Sequence, residues 1–217
     1  MESTMERKPW AGKENPRPQK GKSILRFSDE YVVLDIETTG LNPARDEIIE
    51  IGAIRVRSGE TVAQFSSLVR PSRPIGSFIS GLTGITNGMV QSAPSIDVAL
   101  PELLAFVGGD VIVGHNINFD INFLYDNALR IMGTGLSNNF VDTVRISRLL
   151  FPEMPHHRLC DLEEKFHLHN ESAHRALSDV LLTAECYQRM RAYVEANGID
   201  LWALQRERWA KAREKQG

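Results

Sequence analysis

Residues 31–41, Tyr-Val-Val-Leu-Asp-Ile-Glu-Thr-Thr-Gly-Leu, constrain this chain more than any other stretch. Tyr31, Val32, Val33 and Leu34 run without a charge into Asp35, the pattern of a strand buried on both faces. Asp35 and Glu37 are two apart, so in extended chain their side chains leave the same face while Ile36 turns toward the core. Two carboxylates on one face repel each other, and they make sense with a hard cation such as Mg²⁺ or Mn²⁺ between them, because these ions prefer oxygen ligands. Thr38, Thr39 and Gly40 then supply small groups and a flexible turn that lets a substrate backbone come close. A bare Asp-x-Glu is more often a solvated strand end. The apolar run before it and the Thr-Thr-Gly after it favour the metal-binding reading here.

The rest of the chain alternates strand and helix signals around this element. Residues 47–57 are rich in Ile and Val, and Ser58-Gly59-Glu60 connects them so tightly to residues 61–69 that the two strands must be antiparallel. Residues 78–89 read as a loop with a short helical turn, because Gly81, Gly84 and Gly88 interrupt them. Apolar spacing predicts an amphipathic helix over 95–107, ended by Gly108-Gly109. A further strand over 110–113 leads through Gly114-His115-Asn116 into a helix running to about Met132. Residues 140–143 read as a last strand, with Asp142 capping the helix over 144–150. Residues 159–166 form a short helix, and a long one opens near Ala173. His115, a lone histidine beside a turn, reads as a hydrogen-bonded structural residue.

The 217 residues fit one α/β domain large enough to bury a substantial core. With 25 Lys plus Arg against 28 Asp plus Glu, the chain is no generic polyanion binder, so any nucleic-acid contact must be local. Two cysteines give neither a disulfide framework nor a four-ligand zinc pattern, which favours a reducing compartment and two free thiols. No apolar run approaches the roughly 20 residues needed to span a bilayer, and the N-terminus lacks a signal-peptide core. The expectation is a cytoplasmic protein that does not contact the membrane. Three regions follow: residues 1–23 as a disordered basic tail broken by prolines, 24–192 as the main domain, and 193–217 as a C-terminal helical extension. Ser23 to Phe27 reads as apolar packing beside the first strand. Trp202, Leu204 and Trp209 on the extension are expected to cover the domain's own surface more readily than to grip a partner.

Two further acidic positions complete a constellation. Asp120 falls in a first helical turn just past a strand end, where it can face the same crevice as Asp35 and Glu37. His174 and Asp179 are five apart, about 140° round a helix, and cannot stack on one face. They converge on a cleft if His174 lies in the loop or first turn and Asp179 projects from within the helix. Asp35-Ile-Glu37, His115-Asn-Ile-Asn-Phe-Asp120 and His174-Arg-Ala-Leu-Ser-Asp179 together resemble the DEDDh branch of the DnaQ-like 3′–5′ exonucleases, in that family's order and approximate spacing. The similarity runs from about Tyr31 to Met190, includes Leu82-Thr83-Gly84-Ile85-Thr86, and is nearest in kind to the proofreading (epsilon) subunit of bacterial DNA polymerase III and to PolC-type exonuclease domains.

The resemblance implies a ribonuclease H-like α/β fold, a five-stranded mixed sheet flanked by helices. It implies two divalent metal ions, Mg²⁺ or Mn²⁺, one held by Asp35, Glu37 and Asp179 and the other by Asp35 with Asp120. It makes His174 the general base, and water activated by it would release a nucleoside 5′-monophosphate from a 3′ end. Thr38, Thr39, Leu41, Thr83 and Phe119 are the residues expected to hold the terminal nucleotide, the apolar ones by stacking or wedging. The expected partners are a single-stranded or mispaired DNA 3′ end and a DNA polymerase. A 3′–5′ exoribonuclease shares the same five residues and is the enzymatic alternative, since only the 2′-hydroxyl separates the substrates. A catalytically silent polymerase-binding module is the other alternative. It gives no reason to keep four mutually repelling acids together.

Overall fold

The computed structural model describes residues 16–169 and 174–214. Five strands form one mixed sheet in the order β3-β2-β1-β4-β5, with β1 (Glu30–Thr38) at its centre. β1 pairs antiparallel with β2 (Ile48–Arg57), and β2 pairs antiparallel with β3 (Glu60–Leu68). On its other edge β1 pairs in parallel with β4 (Val111–Gly114), which pairs in parallel with β5 (Phe140–Asp142). Helices α1 (Ser77–Thr83), α2 (Asn87–Val90), α3 (Ile96–Val107) and α4 (Asn118–Met132) come between the third strand and the fifth. They are followed by α5 (Thr143–Leu150), α6 (Leu159–Phe166), α7 (Ala176–Asn197) and α8 (Leu201–Glu214). This is the five-stranded ribonuclease H-like sheet that the resemblance implied.

The period-2 geometry of β1 divides its apolar residues between two cores. Val32, Leu34 and Ile36 pack with α3 and α4 residues such as Leu100, Leu103 and Leu124. Tyr31 and Val33 pack with Val180, Tyr187 and Met190 of α7 and Ile146 of α5. Burial on both faces explains the uncharged run, and the acids begin where the β4 partner stops. The last β1–β4 pair is Val33 with Val113, so Asp35 and Glu37 stand at an open sheet edge, still paired to Gly52 and Glu50 of β2 on the other side. Gly52 is needed there for a close approach. A Cβ on it would lie 2.6 Å from the Ala176 and Leu177 backbone, so its absence lets the first turn of α7 rest on the sheet beside Asp35.

The structure departs from the sequence expectations in three places. Residues 78–89 are two helices, α1 and α2, separated at Gly84, whose left-handed backbone (φ 71°) closes α1. One glycine inside α1 and another at a cap are compatible with short helices fixed by Ile85 and Val90 in a small apolar core. The basic N-terminal stretch lies partly outside the described residues, but from Pro16 onward it is tied to the domain. Arg17 pairs with Asp126 at 2.5 Å, and the Lys20 ammonium donates to Asn118 and Asn122. The fragment from Ser23 to Phe27 contributes Leu25 to the same core as Tyr31, yet its backbone pairs with the last strand, at Phe140, rather than the first. On α8, Leu201 is buried and Leu204 packs on the domain, while Trp202 and Trp209 stay about half exposed (45% and 48%). No helix among the described residues is long and apolar enough to cross a membrane. Cys160 is exposed, Cys186 is buried, and both are free.

Candidate active site

The acids meet at the carboxyl end of β1. Asp35 and Glu37 leave the same face of the strand, as their spacing requires. Asp120 comes from the first turn of α4 and is 2% exposed. Beyond the end of β4, the Ile36 N–H has no strand partner on that edge and donates to Asp120 Oδ1 at 3.0 Å. One backbone bond thus fixes the Asp120 carboxylate on the residue that separates the two β1 acids along the chain. Asp179 arrives from the first turn of α7, and His174 precedes that helix in left-handed backbone (φ 64°), exposed, with its N–H donating to Asp179 Oδ2 at 3.0 Å. This is the arrangement a five-residue separation demands if both are to reach one cleft.

One ligand atom each of Glu37, His174 and Asp179 lie within 4.8 Å of one another, close enough to hold a metal ion. The grouping differs from the expected one, because His174 joins Glu37 and Asp179 at that range while Asp35 and Asp120 lie outside this compact set. Asp35 is nonetheless part of the same charge cluster. Burial, then the charges of Asp120, Glu37, Asp179 and Glu50, hold its pKa well above the usual carboxylate range. Burial first, then Asp179, Glu50 and Asp120, push Glu37 up to about 8, partly offset by Arg175. Burial also raises Asp120 to about 8, against the lowering effect of its backbone hydrogen bonds. Desolvated acids whose charges oppose one another are what a hard cation relieves.

The neighbouring polar residues divide into structural and accessible ones. His115 Nδ1 lies 2.9 Å from Thr143 Oγ1, which itself donates to the Gly114 carbonyl, and burial pushes the imidazole down to about 4. His115 is therefore neutral and structural. Asp142 caps α5 by accepting from Val144 N–H and also takes Asn116 N–H, as a cap should. Thr83 is buried, with its hydroxyl donating to Ile79 O and accepting from Ile85 N–H. Thr38 donates to Gly40 O, and Thr39 accepts Glu47 N–H. Phe119 is partly buried against Phe123. Leu41, by contrast, is 85% exposed just past the acids. A cleft of about 650 Å³ of mixed charge, with arginines such as Arg45 and Arg73 beside Asp46, Glu47 and Asp97, contains none of Asp35, Glu37, Asp120 and Asp179.

Sequence reasoning passed over Glu50 and Arg175. Glu50 is 3% exposed and ion-paired to Arg175 at 2.7 Å. An acid inside the run Ile48-Ile49-Glu50-Ile51, and an arginine directly after His174, were the available signals.

A sheet of this topology with carboxylates from β1, α4 and α7 at one strand end defines an acidic, oxygen-rich cleft of the kind that suits a hard cation. The family model described as Exonuclease matches residues 32–187. The chain is 41% identical over 179 residues to the PolC-type DNA polymerase III of Caldanaerobacter subterraneus subsp. tengcongensis, covering 82% of this chain and 13% of that protein. It thus spans about one eighth of the length of that relative. It is 36% identical over 175 residues to the DNA polymerase III subunit epsilon of Aquifex aeolicus, covering 81% of this chain and 86% of that one. Among solved structures, exonuclease X in complex with 5′ overhanging duplex DNA superposes with a TM-score of 0.62 at 27% identity, over 79% of this chain and 95% of that one. Exonuclease I of E. coli in complex with a dT13 oligonucleotide shares the fold (TM-score 0.67, 20% identity, 78% of this chain and 42% of that one). The chain belongs to the exonuclease family.

Proposed function

We propose that the chain is a 3′–5′ exodeoxyribonuclease that hydrolyses the terminal phosphodiester of a DNA 3′ end and releases nucleoside 5′-monophosphates, in proofreading or repair. The observation that carries the reading is the convergence of Asp35, Glu37, Asp120 and Asp179 at one strand end, with His174 at its mouth. Relatives that are DNA polymerase III chains and a structural relative held on duplex DNA support DNA as substrate.

The donor set is all oxygen apart from one imidazole, and its acids are charge-strained, so it fits two ions of the Mg²⁺ or Mn²⁺ kind held by Asp35, Glu37, Asp179 and Asp120. When bound, such ions stabilise charge on the attacking and leaving oxygens of an in-line displacement. The chain's own residues do the rest. His174, exposed and beside the acids, accepts the proton of the attacking water. Leu41 presents an apolar edge against the last base. The Thr38-Thr39-Gly40 turn brings backbone close to the terminal nucleotide, with Phe119 flanking it. Thr83, whose hydroxyl is already engaged on both sides, acts through the position of α1. We propose a main domain at 24–192 to which the stretch from Pro16 adds its contacts, and an extension at 193–217 that continues from the last turn of α7, in a cytoplasmic protein that works beside a DNA polymerase.

A gel assay with end-labelled single-stranded DNA, a mispaired duplex and RNA tests this. Stepwise loss from the 3′ end of DNA, fastest where the end is unpaired because unstacking there costs least, is the expected result. Faster digestion of RNA would assign the chain to RNA trimming. Cutting of a closed circle would make it an endonuclease, and no cleavage of any substrate would leave a silent binding module.

A further inference from the structure

The start of α7 carries a contact that the metal-site reading does not use. Glu50 sits opposite Glu37 in the β1–β2 register, so both side chains leave the same face of the sheet. Arg175 grips this buried carboxylate as a fork, Nε at 3.1 Å from each oxygen and Nη2 at 2.7 Å from Oε1. Glu50 Oε2 also accepts the Ala176 N–H at 3.0 Å. Arg175 is the residue before the helix and supplies no side-chain cap of its own. An amide at the start of α7 that the helix itself leaves unpaired is thus satisfied from across the sheet. Two residues along β2, Gly52 leaves no Cβ between the strand and the Ala176–Leu177 backbone. Charge, cap and contact therefore fix one turn of one helix.

His174 and Asp179 flank that turn, and the His174 N–H bonds the Asp179 carboxylate across it. We infer that the Arg175–Glu50 pair is a positioning element of the exonuclease site, setting where His174 and Asp179 stand relative to Glu37. The inference rests on the proposed catalytic roles of those three residues. Its physics is specific to arginine. A planar guanidinium engages both carboxylate oxygens and still leaves Oε2 oriented toward Ala176, whereas an ammonium is a point charge without that geometry. Without its partner Glu50 would be a fifth carboxylate beside four others, and the helix start would be free to shift.

The test compares Arg175→Lys, the double variant Glu50→Gln/Arg175→Met, Asp179→Asn and wild type. Each is measured for kcat and KM on single-stranded DNA, for Mn²⁺ affinity by calorimetry, and for thermal melting. Groups that orient metal ligands typically change affinity or activity by 10- to 100-fold. Both pair variants are accordingly expected to lose roughly 10- to 100-fold in kcat with KM little changed, and to bind Mn²⁺ roughly tenfold more weakly. The double variant leaves no buried charge unpaired and is expected to melt near wild type, so it carries the test if Arg175→Lys unfolds. Wild-type kcat and Mn²⁺ affinity in a folded pair variant overturn the inference, as does a loss confined to melting temperature. An inactive Asp179→Asn beside an unaffected Arg175→Lys overturns the positioning role alone. An active Asp179→Asn overturns the site reading and the inference with it.

Discussion

Asp120 reaches the cleft from the first turn of α4, itself 2% exposed and bonded through its carboxylate to the backbone of β1. His174 reaches it from an exposed position in left-handed backbone. The sheet side of the site, Asp35, Glu37 and Asp120, is built into two apolar cores and cannot move without disturbing β1. The helix side, His174 and Asp179, is held by the first turn of α7 and its pairing to Glu50. On the proposed reading, a more deeply buried acid cluster beside an exposed histidine separates two tasks, fixing charge and moving a proton. The same difference shows why the sheet side accumulates electrostatic strain: its carboxylates are desolvated together.

The comparison breaks most sharply at Asp35. Asp35→Ala is expected to reduce Mg²⁺-dependent cleavage to background while leaving the fold intact, because it deletes a ligand and relieves repulsion. Turnover at the wild-type rate, with a normal melting curve, would remove the sheet side from catalysis. On the other side, His174→Ala is expected to lose roughly 10²- to 10⁴-fold in turnover with Mn²⁺ affinity unchanged, if the imidazole acts as a base. Because His174 also stands within ligand range of Glu37 and Asp179, weakened Mn²⁺ binding in this variant would reassign it as a ligand.

A pH series probes the strain itself. Glu37 and Asp120 are raised to about 8 from ordinary values of 4.5 and 3.8, so between those limits the folded chain holds more protons than the unfolded one. Stability of the metal-free protein must then fall as pH rises through that window. Melting temperature in EDTA is expected to drop from pH 5 to pH 8, less steeply in Asp35→Asn, and Mn²⁺ should restore more stability at pH 8 than at pH 5. Identical slopes in wild type and Asp35→Asn would show that the β1 acids are not strained together. The smallest effect belongs to Leu41→Ala. Removing an apolar edge worth at most about 2 kcal/mol should raise KM for an unpaired 3′ end by up to about 30-fold, with kcat and melting temperature unchanged. An unchanged KM would take Leu41 out of end recognition.

Much of this arrangement was readable in one dimension. The period-2 parity of 31–37 determined that Asp35 and Glu37 share a face, and the uncharged run before them determined that their strand is buried on both faces. The short turn at Ser58-Gly59-Glu60 dictated an antiparallel β2–β3 pair, and the offset between His174 and Asp179 excluded stacking on one helix face, leaving His174 to the loop or the first turn. These are local consequences of chain geometry. Residues 78–89 misled because helix propensity penalises glycine locally, whereas Ile85 and Val90 gain their burial only from the assembled domain. Which oxygen faces which amide was likewise beyond the sequence: Asp120 takes the Ile36 N–H only because β4 ends before β1 does. Glu50 could not be told from any acid at a strand edge until β2 came beside β1 and α7 came to rest on Gly52. Its partner Arg175 lies 125 residues away along the chain, and no local pattern encodes a pairing at that separation. Tertiary structure alone decided it, because burying a carboxylate beside four others requires a counter-charge that only another element can bring.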